Sequence, residues 1–221
     1  MPSIYSRRIG IEPSLWRMGL ALNAGGIGIG IWQLTLPSIV SGAMCIAAPW
    51  VAIAVAWFDK RFSLMSWRPD SRADIGGLWC PVVVLAVQAA TQQKMMTPLA
   101  PLLAAVPFAI FMFVALTKVD FDARVTFRMP WTVALCAAWA WGSGIYANVS
   151  FDPSRAVLMS GTVLETHSSR GGRRMTVSSS YAGQKVLLKG LPAGRREIGA
   201  QVLIEMKDGW LGWRYLRVLN T

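Results

Sequence analysis

The chain has 221 residues, of which 54% are hydrophobic and only 15% are charged, and its mean hydropathy is +0.43. An average soluble domain carries about 25% charged residues, so this composition argues against an ordinary soluble protein and favours a membrane protein. The net charge is +11. Before residue 150 the positive charges lie in short stretches between apolar segments, a distribution that orients membrane spans and argues against a nucleic-acid-binding protein.

Apolar segments dominate residues 1–150, which we interpret as a transmembrane helical domain. A helix needs about 20 apolar residues to cross a bilayer. This length predicts five spans, at about residues 15–34, 39–58, 75–92, 97–117 and 131–149. The connections at 36–38 and 94–96 are so tight that each joins two antiparallel spans. The stretch before the first span shows no small-residue cleavage site, so that span is interpreted as an uncleaved anchor.

The loops between the spans differ in charge. Only Lys94 lies in the two tight connections, whereas ten positive residues lie in the other loops and at the N-terminus: Arg7, Arg8, Arg17, Lys60, Arg61, Arg68, Arg72, Lys118, Arg124 and Arg128. The positive-inside rule therefore predicts a cytoplasmic N-terminus and, after five spans, an extracytoplasmic C-terminal domain. In a Gram-negative bacterium this is a multi-pass inner-membrane protein with a periplasmic domain.

The first span contains the stretch "NAGGIGIGIW" (23–32), whose glycines do not match the GxGxxG dinucleotide fingerprint. At 100° per residue, small and polar residues fall within about 40° of one line on this helix. Such a face allows close helix packing, within the chain or, alternatively, between two copies. The predicted helix-packing residues are Gly19, Asn23, Gly26, Gly30 and Gln33.

No Asp, Glu, Lys, Arg or His lies in the core of a predicted span, which argues against a proton-coupled transporter. Cys45, Cys80 and Cys136 all lie in apolar spans without a CxxC spacing, so neither a disulfide nor a metal site is predicted. The only histidine, His167, has Glu165 nearby but no nucleophile in a triad pattern. We therefore expect no catalytic residue, no cofactor and no enzymatic activity.

Residues 151–221 have a different pattern, with alternating apolar residues and turn signals such as "RGGRR" (170–174) and "KDGW" (207–210). These features predict a small all-β domain, a five-stranded barrel of the OB or SH3 type or a rolled sheet. Its strands are predicted at about 156–166, 173–181, 184–190, 200–206 and 212–219.

Two groups of residues in this domain are candidate contact sites. The basic residues are suited to anionic lipid headgroups or an acidic partner, or they form a merely solvated tip. The two tryptophans near the last turn are either core, which the sequence favours, or an exposed docking patch. These candidates are Arg170, Arg173, Arg174, Arg195 and Arg196, and Trp210 and Trp213.

The stretches "FDPS", "GTVLETHSSRGGRR" and "GAQVLIEMKDGWLGWRYLRV" resemble the extracytoplasmic domain of a broad group of uncharacterised bacterial multi-pass inner-membrane proteins. The resemblance covers about a third of the chain. Trp213 departs from the pattern because it directly follows a glycine. The resemblance implies a helical bundle followed by a β-domain, and it implies no activity. The matching residues are Asp152, Ser154, Gly161, Val163, Gly172, Gly209, Leu211, Gly212 and Trp213.

The architecture also resembles the nodulation-efficiency (NfeD-like) family, whose spans precede a small OB-type barrel and which is thought to work with stomatin-like partners. The leading hypothesis is a non-enzymatic inner-membrane protein whose periplasmic β-domain docks an envelope partner, in an accessory, scaffold or immunity-like role. The expected partners are the lipid bilayer and either an envelope protein or a second copy. The alternative is a small-solute or lipid transporter or channel, suggested by the amides of the first span and by Pro101 and Pro107 in the fourth.

Overall fold

The computed structural model describes residues 12–64, 72–91, 94–96, 98–119, 129–169, 172–181, 184–193 and 196–219. The chain divides into two compact units. The first unit comprises residues 1–86 and 104–143, and the second comprises residues 87–103 and 144–221. The first is mainly helical, and the second contains a curled antiparallel β half-barrel together with three helix ends.

The helices are α1 (Pro13–Thr35), α2 (Ile39–Phe58), α3 (Cys80–Thr91), α4 (Leu99–Val119) and α5 (Met129–Ser150). A short 3-10 helix, Gly76–Trp79, leads directly into α3. Helix α1 begins with proline, whose missing N–H costs nothing at a first helical position. Helix α2 begins at a capping box in which the side chain and backbone of Ser38 exchange hydrogen bonds with those of Ser41.

Only α2 and α4, among the described residues, are long and apolar enough to cross a membrane. The prediction of five such spans is therefore corrected, while the prediction of an apolar helical N-terminal part holds. Helix α3 has 12 residues, about 18 Å of helix, whereas the hydrocarbon core is about 30 Å thick. In α1 the glycines, Asn23 and Gln33 lower the average hydropathy, and in α5 the small and polar residues of "GSGIYANVS" (142–150) do the same.

The core of the first unit joins α2, the 3-10 helix, α4 and α5, with Ala52, Leu78 and Met112 among its buried residues. Trp139 of α5 packs edge-on to Trp50 of α2, with ring centroids 5.6 Å apart. The indole N–H of Trp139 donates to the carbonyl of Ile46 at 3.1 Å. Two short strands, β1 (Phe62–Ser63) and β2 (Ala73–Asp74), pair in parallel after α2.

The half-barrel is a six-stranded antiparallel sheet in the order β3-β8-β7-β4-β5-β6. Side chains alternate along β7, where Val202, Ile204 and Met206 point into the core. The pairing register shifts after Val163 on β4 and after Met175 on β5, and such irregularities bend a sheet. The strands are β3 (Lys94–Met95), β4 (Val157–Ser169), β5 (Gly172–Tyr181), β6 (Gln184–Pro192), β7 (Gln201–Lys207) and β8 (Tyr215–Val218).

The predicted C-terminal β-domain is confirmed in its coarser form, because all five strands predicted after residue 151 are present. The sheet is an open half-barrel instead of a closed barrel, and it gains β3 from the connection between α3 and α4. The last strand begins at Tyr215 instead of residue 212. The preceding residues form a turn in which Gly209 and Gly212 have φ values of 77° and 75°.

Candidate functional site

The small and polar face of α1 packs on the segment that runs from β2 into α3. A Cβ atom at Gly26 would lie 2.5 Å from the carbonyl oxygen of Gly77, so the backbones approach too closely for any side chain. Asn23 donates from Nδ2 to the carbonyl of Asp74 at 2.8 Å, and its Oδ1 accepts the N–H of Gly77 at 2.7 Å. The amide thus bridges two backbone groups of its packing partner.

The other predicted packing residues also contact neighbouring segments within the first unit. Gly19 lies against Ala73, and Gly30 lies against Cys80. Gln33 is buried, and its Oε1 accepts a hydrogen bond from the hydroxyl of Ser41. In this structure the face that the sequence singles out is therefore used for packing within one chain.

The basic residues of the half-barrel differ in their surroundings. Arg174 is half-buried and donates to the carbonyl of Gly190 at 3.4 Å and to the carbonyl of Ala90 at 3.1 Å. Ala90 lies in the last turn of α3, where a cation interacts favourably with the helix dipole. Arg174 thereby ties strands β5 and β6 to the end of a helix.

Arg196 is also half-buried, and its Nη2 donates to the carbonyl of Leu219 at 2.9 Å. Arg173 is exposed, and its Nη2 donates to the hydroxyl of Thr166 at 3.2 Å. Arg170 and Arg195 lie outside the described residues. Of the described arginines in this group, Arg173 is the one that a partner or a lipid headgroup can reach most readily.

The only histidine pairs with its neighbour on β4. The Nε2 atom of His167 lies 3.1 Å from Oε2 of Glu165, and both side chains are more than 60% exposed. An exposed contact of this kind on a strand contributes little to stability.

The clearest built feature of the second unit is residues 208–213, "DGWLGW", which we call the aromatic turn. Asn148, in the last turns of α5, is 0% exposed and holds this turn. Its Nδ2 donates to the carbonyl of Trp213 at 2.8 Å, and its Oδ1 accepts the N–H of Leu211 at 2.8 Å. Its backbone carbonyl accepts the N–H of Trp210 at 2.9 Å.

Gly209 makes this close approach possible. Its φ is positive, and a side chain there would collide with the amide group of Asn148. A buried amide without partners destabilises a protein, so the cluster of hydrogen bonds around Asn148 accounts for an amide at this position of an apolar helix. Asn148 is absent from the predicted site residues. The signal that identifies it in the sequence is an amide within an apolar helix, because such an amide needs hydrogen-bond partners.

The two tryptophans of the aromatic turn lie in different environments. Trp213 is half-buried, and its ring lies against Gly144 of α5. Trp210 is 56% exposed and meets the ring of Phe151 edge-on, with centroids 5.9 Å apart. Leu211 and Phe151 are exposed as well. The turn therefore presents an apolar tip, although the sequence favoured a core position for both tryptophans.

A group of polar side chains near this turn forms hydrogen bonds around Asp152. The carboxylate of Asp152 accepts the N–H of Ser154 at 2.8 Å and the hydroxyl of Tyr215 at 3.2 Å. Burial opposes ionisation of Asp152, but these hydrogen bonds outweigh it and hold its pKa below the usual range. Burial first, and then the charge and hydrogen bond of Asp152, raise the pKa of Tyr215 above its usual range. The guanidinium of Arg214 pairs with Asp208 at 2.8 Å.

Comparison of the chain with models of protein families, with curated proteins and with solved structures found no match. Within the described residues, no group of three or more histidine, cysteine or acidic side chains is arranged to hold a metal ion.

Proposed function

We propose that this chain is an integral inner-membrane protein that holds its half-barrel at the periplasmic surface as a non-enzymatic docking module for an envelope protein. The first support is the exposure of α4. Only 22% of its most apolar stretch is buried inside the protein. Leu102, Val106 and Phe111 are each at least half exposed. Apolar surface of this extent requires a cover, and a bilayer provides one along a whole helix.

Strand β3 supports a defined topology. It directly precedes α4, and it pairs with β8, which follows α5 in the chain: Lys94 is opposite Leu216, and Met95 is opposite Tyr215. The start of α4 and the end of α5 therefore belong on the same side of a membrane. A crossing by α4 then requires α5 to cross in the opposite direction, even though its average hydropathy is lower.

A second hairpin follows from α1 and α2. The carboxylate of Glu12, just before α1, lies 3.3 Å from the guanidinium of Arg61, just after α2. The start of α1 and the end of α2 therefore lie together, and the positive charges of Lys60 and Arg61 favour the cytoplasmic side for both. The chain must then cross once more between Arg61 and Lys94, and we assign this crossing to the apolar segment Gly76–Thr91, in which the 3-10 helix lengthens α3. The proposed membrane domain therefore has a cytoplasmic N-terminus and a periplasmic half-barrel.

The docking part of the proposal depends on strand β6, which ends the sheet order. No strand of the described residues pairs with its outer side. Lys185 and Lys189 are exposed on one face, with Leu187 between them at 51% exposure. Neither lysine forms an ion pair with a described carboxylate. The strand thus offers free backbone groups beside two unpaired positive charges.

These features suit an extended acidic segment that adds to the sheet edge. The two lysines are four residues apart, or about 13 Å along a strand, and face the same way. Antiparallel pairing of two copies about Leu187 would place Lys185 opposite Lys189, and like charges in that position repel. The charge pattern therefore favours an acidic partner protein over a second copy of this chain.

Site-specific photo-crosslinking in cells tests this function. With p-benzoylphenylalanine at position 187, we expect one discrete crosslinked product, whose partner peptide is acidic when sequenced by mass spectrometry. Position 162 on β4 is the control, because Thr162 is partly exposed and pairs on both sides, with Ser178 of β5 and with Gln201 of β7. The double change Lys185→Glu and Lys189→Glu should abolish the product. Equal products at both positions, or a product indifferent to the charge reversal, would contradict the proposal.

The transporter alternative gains no support from the two amides that suggested it. Asn23 bonds the backbone next to the 3-10 helix, and Gln33 bonds Ser41, so both stabilise packing inside the first unit. Pro107 lies within α4, but a bent helix is common to transporters and inert bundles alike.

A further inference from the structure

The aromatic turn holds apolar side chains in exposed positions. The side chain of Asn148 forms three hydrogen bonds with the backbone of this turn and fixes its conformation. The result of that rigidity is a tip on which Trp210, Leu211 and Phe151 stay exposed. An exposed aromatic pair on a well-fixed turn forms an apolar surface patch, and such patches mark sites of contact with a ligand, a protein or a membrane.

Two hydrogen-bonded ties locate this tip relative to the helix ends. Asn148 connects the turn to the end of α5, and Phe151, the first residue after that helix, touches Trp210. On the other side of the turn, the carbonyl of Arg214 accepts the N–H of Met96 at 3.0 Å. Met96 lies three residues before α4, which is one of the two candidate membrane spans.

The first turn of α4 is itself apolar and exposed, at Leu99, Leu102 and Leu103. If α4 crosses a bilayer, these leucines enter the hydrocarbon region just inside its surface. The ties then place the aromatic turn at the level of the lipid headgroups. Tryptophan and other aromatic side chains prefer this level, because one part of the ring system is apolar and the N–H remains hydrated.

We propose that Phe151, Trp210 and Leu211 insert into the boundary between headgroups and acyl chains of the outer leaflet and anchor the half-barrel to the membrane surface. Arg155, four residues after Phe151, is an exposed cationic side chain, whereas the guanidinium of Arg214 pairs with Asp208. This anchor rests on the proposed membrane insertion and is independent of the partner of β6. It fixes the orientation in which the half-barrel presents its docking edge.

Photo-crosslinking to lipid tests the anchor with the full-length protein. The chain contains 11 tryptophans, so intrinsic fluorescence cannot report on one of them. Instead, p-benzoylphenylalanine is placed at position 210, and the purified protein is illuminated in liposomes of phosphatidylethanolamine and phosphatidylglycerol. Position 106, exposed on α4, serves as the lipid-facing control, and position 189 on β6 serves as the water-facing control. Mass spectrometry detects lipid adducts.

We expect lipid adducts at positions 210 and 106 and none at position 189. Adducts at 106 without any at 210 would overturn the anchor while leaving membrane insertion intact. Absence at 106 as well would overturn membrane insertion and the anchor with it. A crosslinked dimer at 210 in place of lipid would overturn the anchor and assign the tip to a second copy of the chain. A probe at position 211 repeats the test with Trp210 intact, so a folding defect of one variant does not decide the result.

Discussion

At the scale of single residues, Gly26 decides how closely α1 packs on its neighbour. We expect Gly26→Ala to destabilise the protein by about 1–3 kcal/mol, because the new methyl group meets backbone atoms of Gly77 and Leu78 that cannot move aside cheaply. Gly28→Ala is the matched control, since no atom lies within 4 Å of its Cβ position. Thermal unfolding of the protein in mild detergent measures the difference.

The control substitution carries the same gain in helix propensity, about 1 kcal/mol, as the test substitution. The comparison therefore isolates the contact of the methyl group. Equal unfolding temperatures for the two variants would show that α1 does not pack on the 3-10 helix in the way described.

This face also shows what a sequence can and cannot predict about a site. The spacing of Gly19, Asn23, Gly26, Gly30 and Gln33 is enough to predict that they share one face, because helix geometry fixes it. Their partners are the segment that runs from β2 through the 3-10 helix into α3, and Ser41 on α2. No periodicity within α1 specifies these partners, because they depend on how distant parts of the chain meet.

The carboxylate of Asp152 gives the second residue-scale prediction. Its pKa in the folded protein is lowered, so its ionised form stabilises the folded state above the ordinary pKa, about 4, and this contribution is lost as the pH falls through the folded pKa. We expect the stability of the half-barrel to decrease below about pH 4. Asp152→Asn should remove this part of the dependence. Thermal unfolding monitored by circular dichroism across acid pH measures it, and an unchanged pH profile in the variant would refute the role of Asp152.

At the scale of elements, the aromatic turn depends on Asn148. Asn148→Ala leaves a buried carbonyl and N–H groups of the turn without their partner, at a cost of about 2 kcal/mol. We expect local opening of the turn to increase roughly 30-fold. Limited proteolysis with chymotrypsin, read as cleavage after Trp210, reports this opening.

Gln201→Ala is the control for that experiment. Gln201 is also an amide with a hydrogen bond, to Thr162 at 3.0 Å, but it is exposed on the sheet. Its loss should leave cleavage at the aromatic turn unchanged. Similar cleavage of the Asn148→Ala variant and the native chain would mean that the turn holds its shape without the amide.

The elements were predictable where the pattern is local. Alternating apolar residues, as on β7, and the turn signals with glycine between the strands predict five strands of the half-barrel. Strand β3 has two residues and no alternation, and its partner lies far along the chain at Tyr215 and Leu216. The start of the last strand was misplaced because Gly209 and Gly212 adopt positive φ, which ends one strand and delays the next.

At the scale of the whole molecule, the apolar segments of the sequence predict five spans, whereas only α2 and α4 of the described helices meet a simple criterion of length and average hydropathy. Average hydropathy counts each asparagine as a polar residue, although Asn23 and Asn148 satisfy their amides inside the protein. A satisfied amide is far less costly to place in a membrane than a free one. Helices α1 and α5 therefore fall short of a simple hydropathy criterion while still serving as spans in the proposed topology.

The central claim is that the connection between α3 and α4 and the half-barrel lie together outside the cytoplasm. Labelling of introduced cysteines with a membrane-impermeant maleimide tests it most directly, with the native chain and its three cysteines in apolar helices as background. We expect Lys94→Cys and Leu158→Cys to react in intact spheroplasts, and Lys60→Cys and Lys118→Cys to react only after permeabilisation. Reaction of positions 94 and 158 from opposite sides, or of all four in intact spheroplasts, would contradict the account.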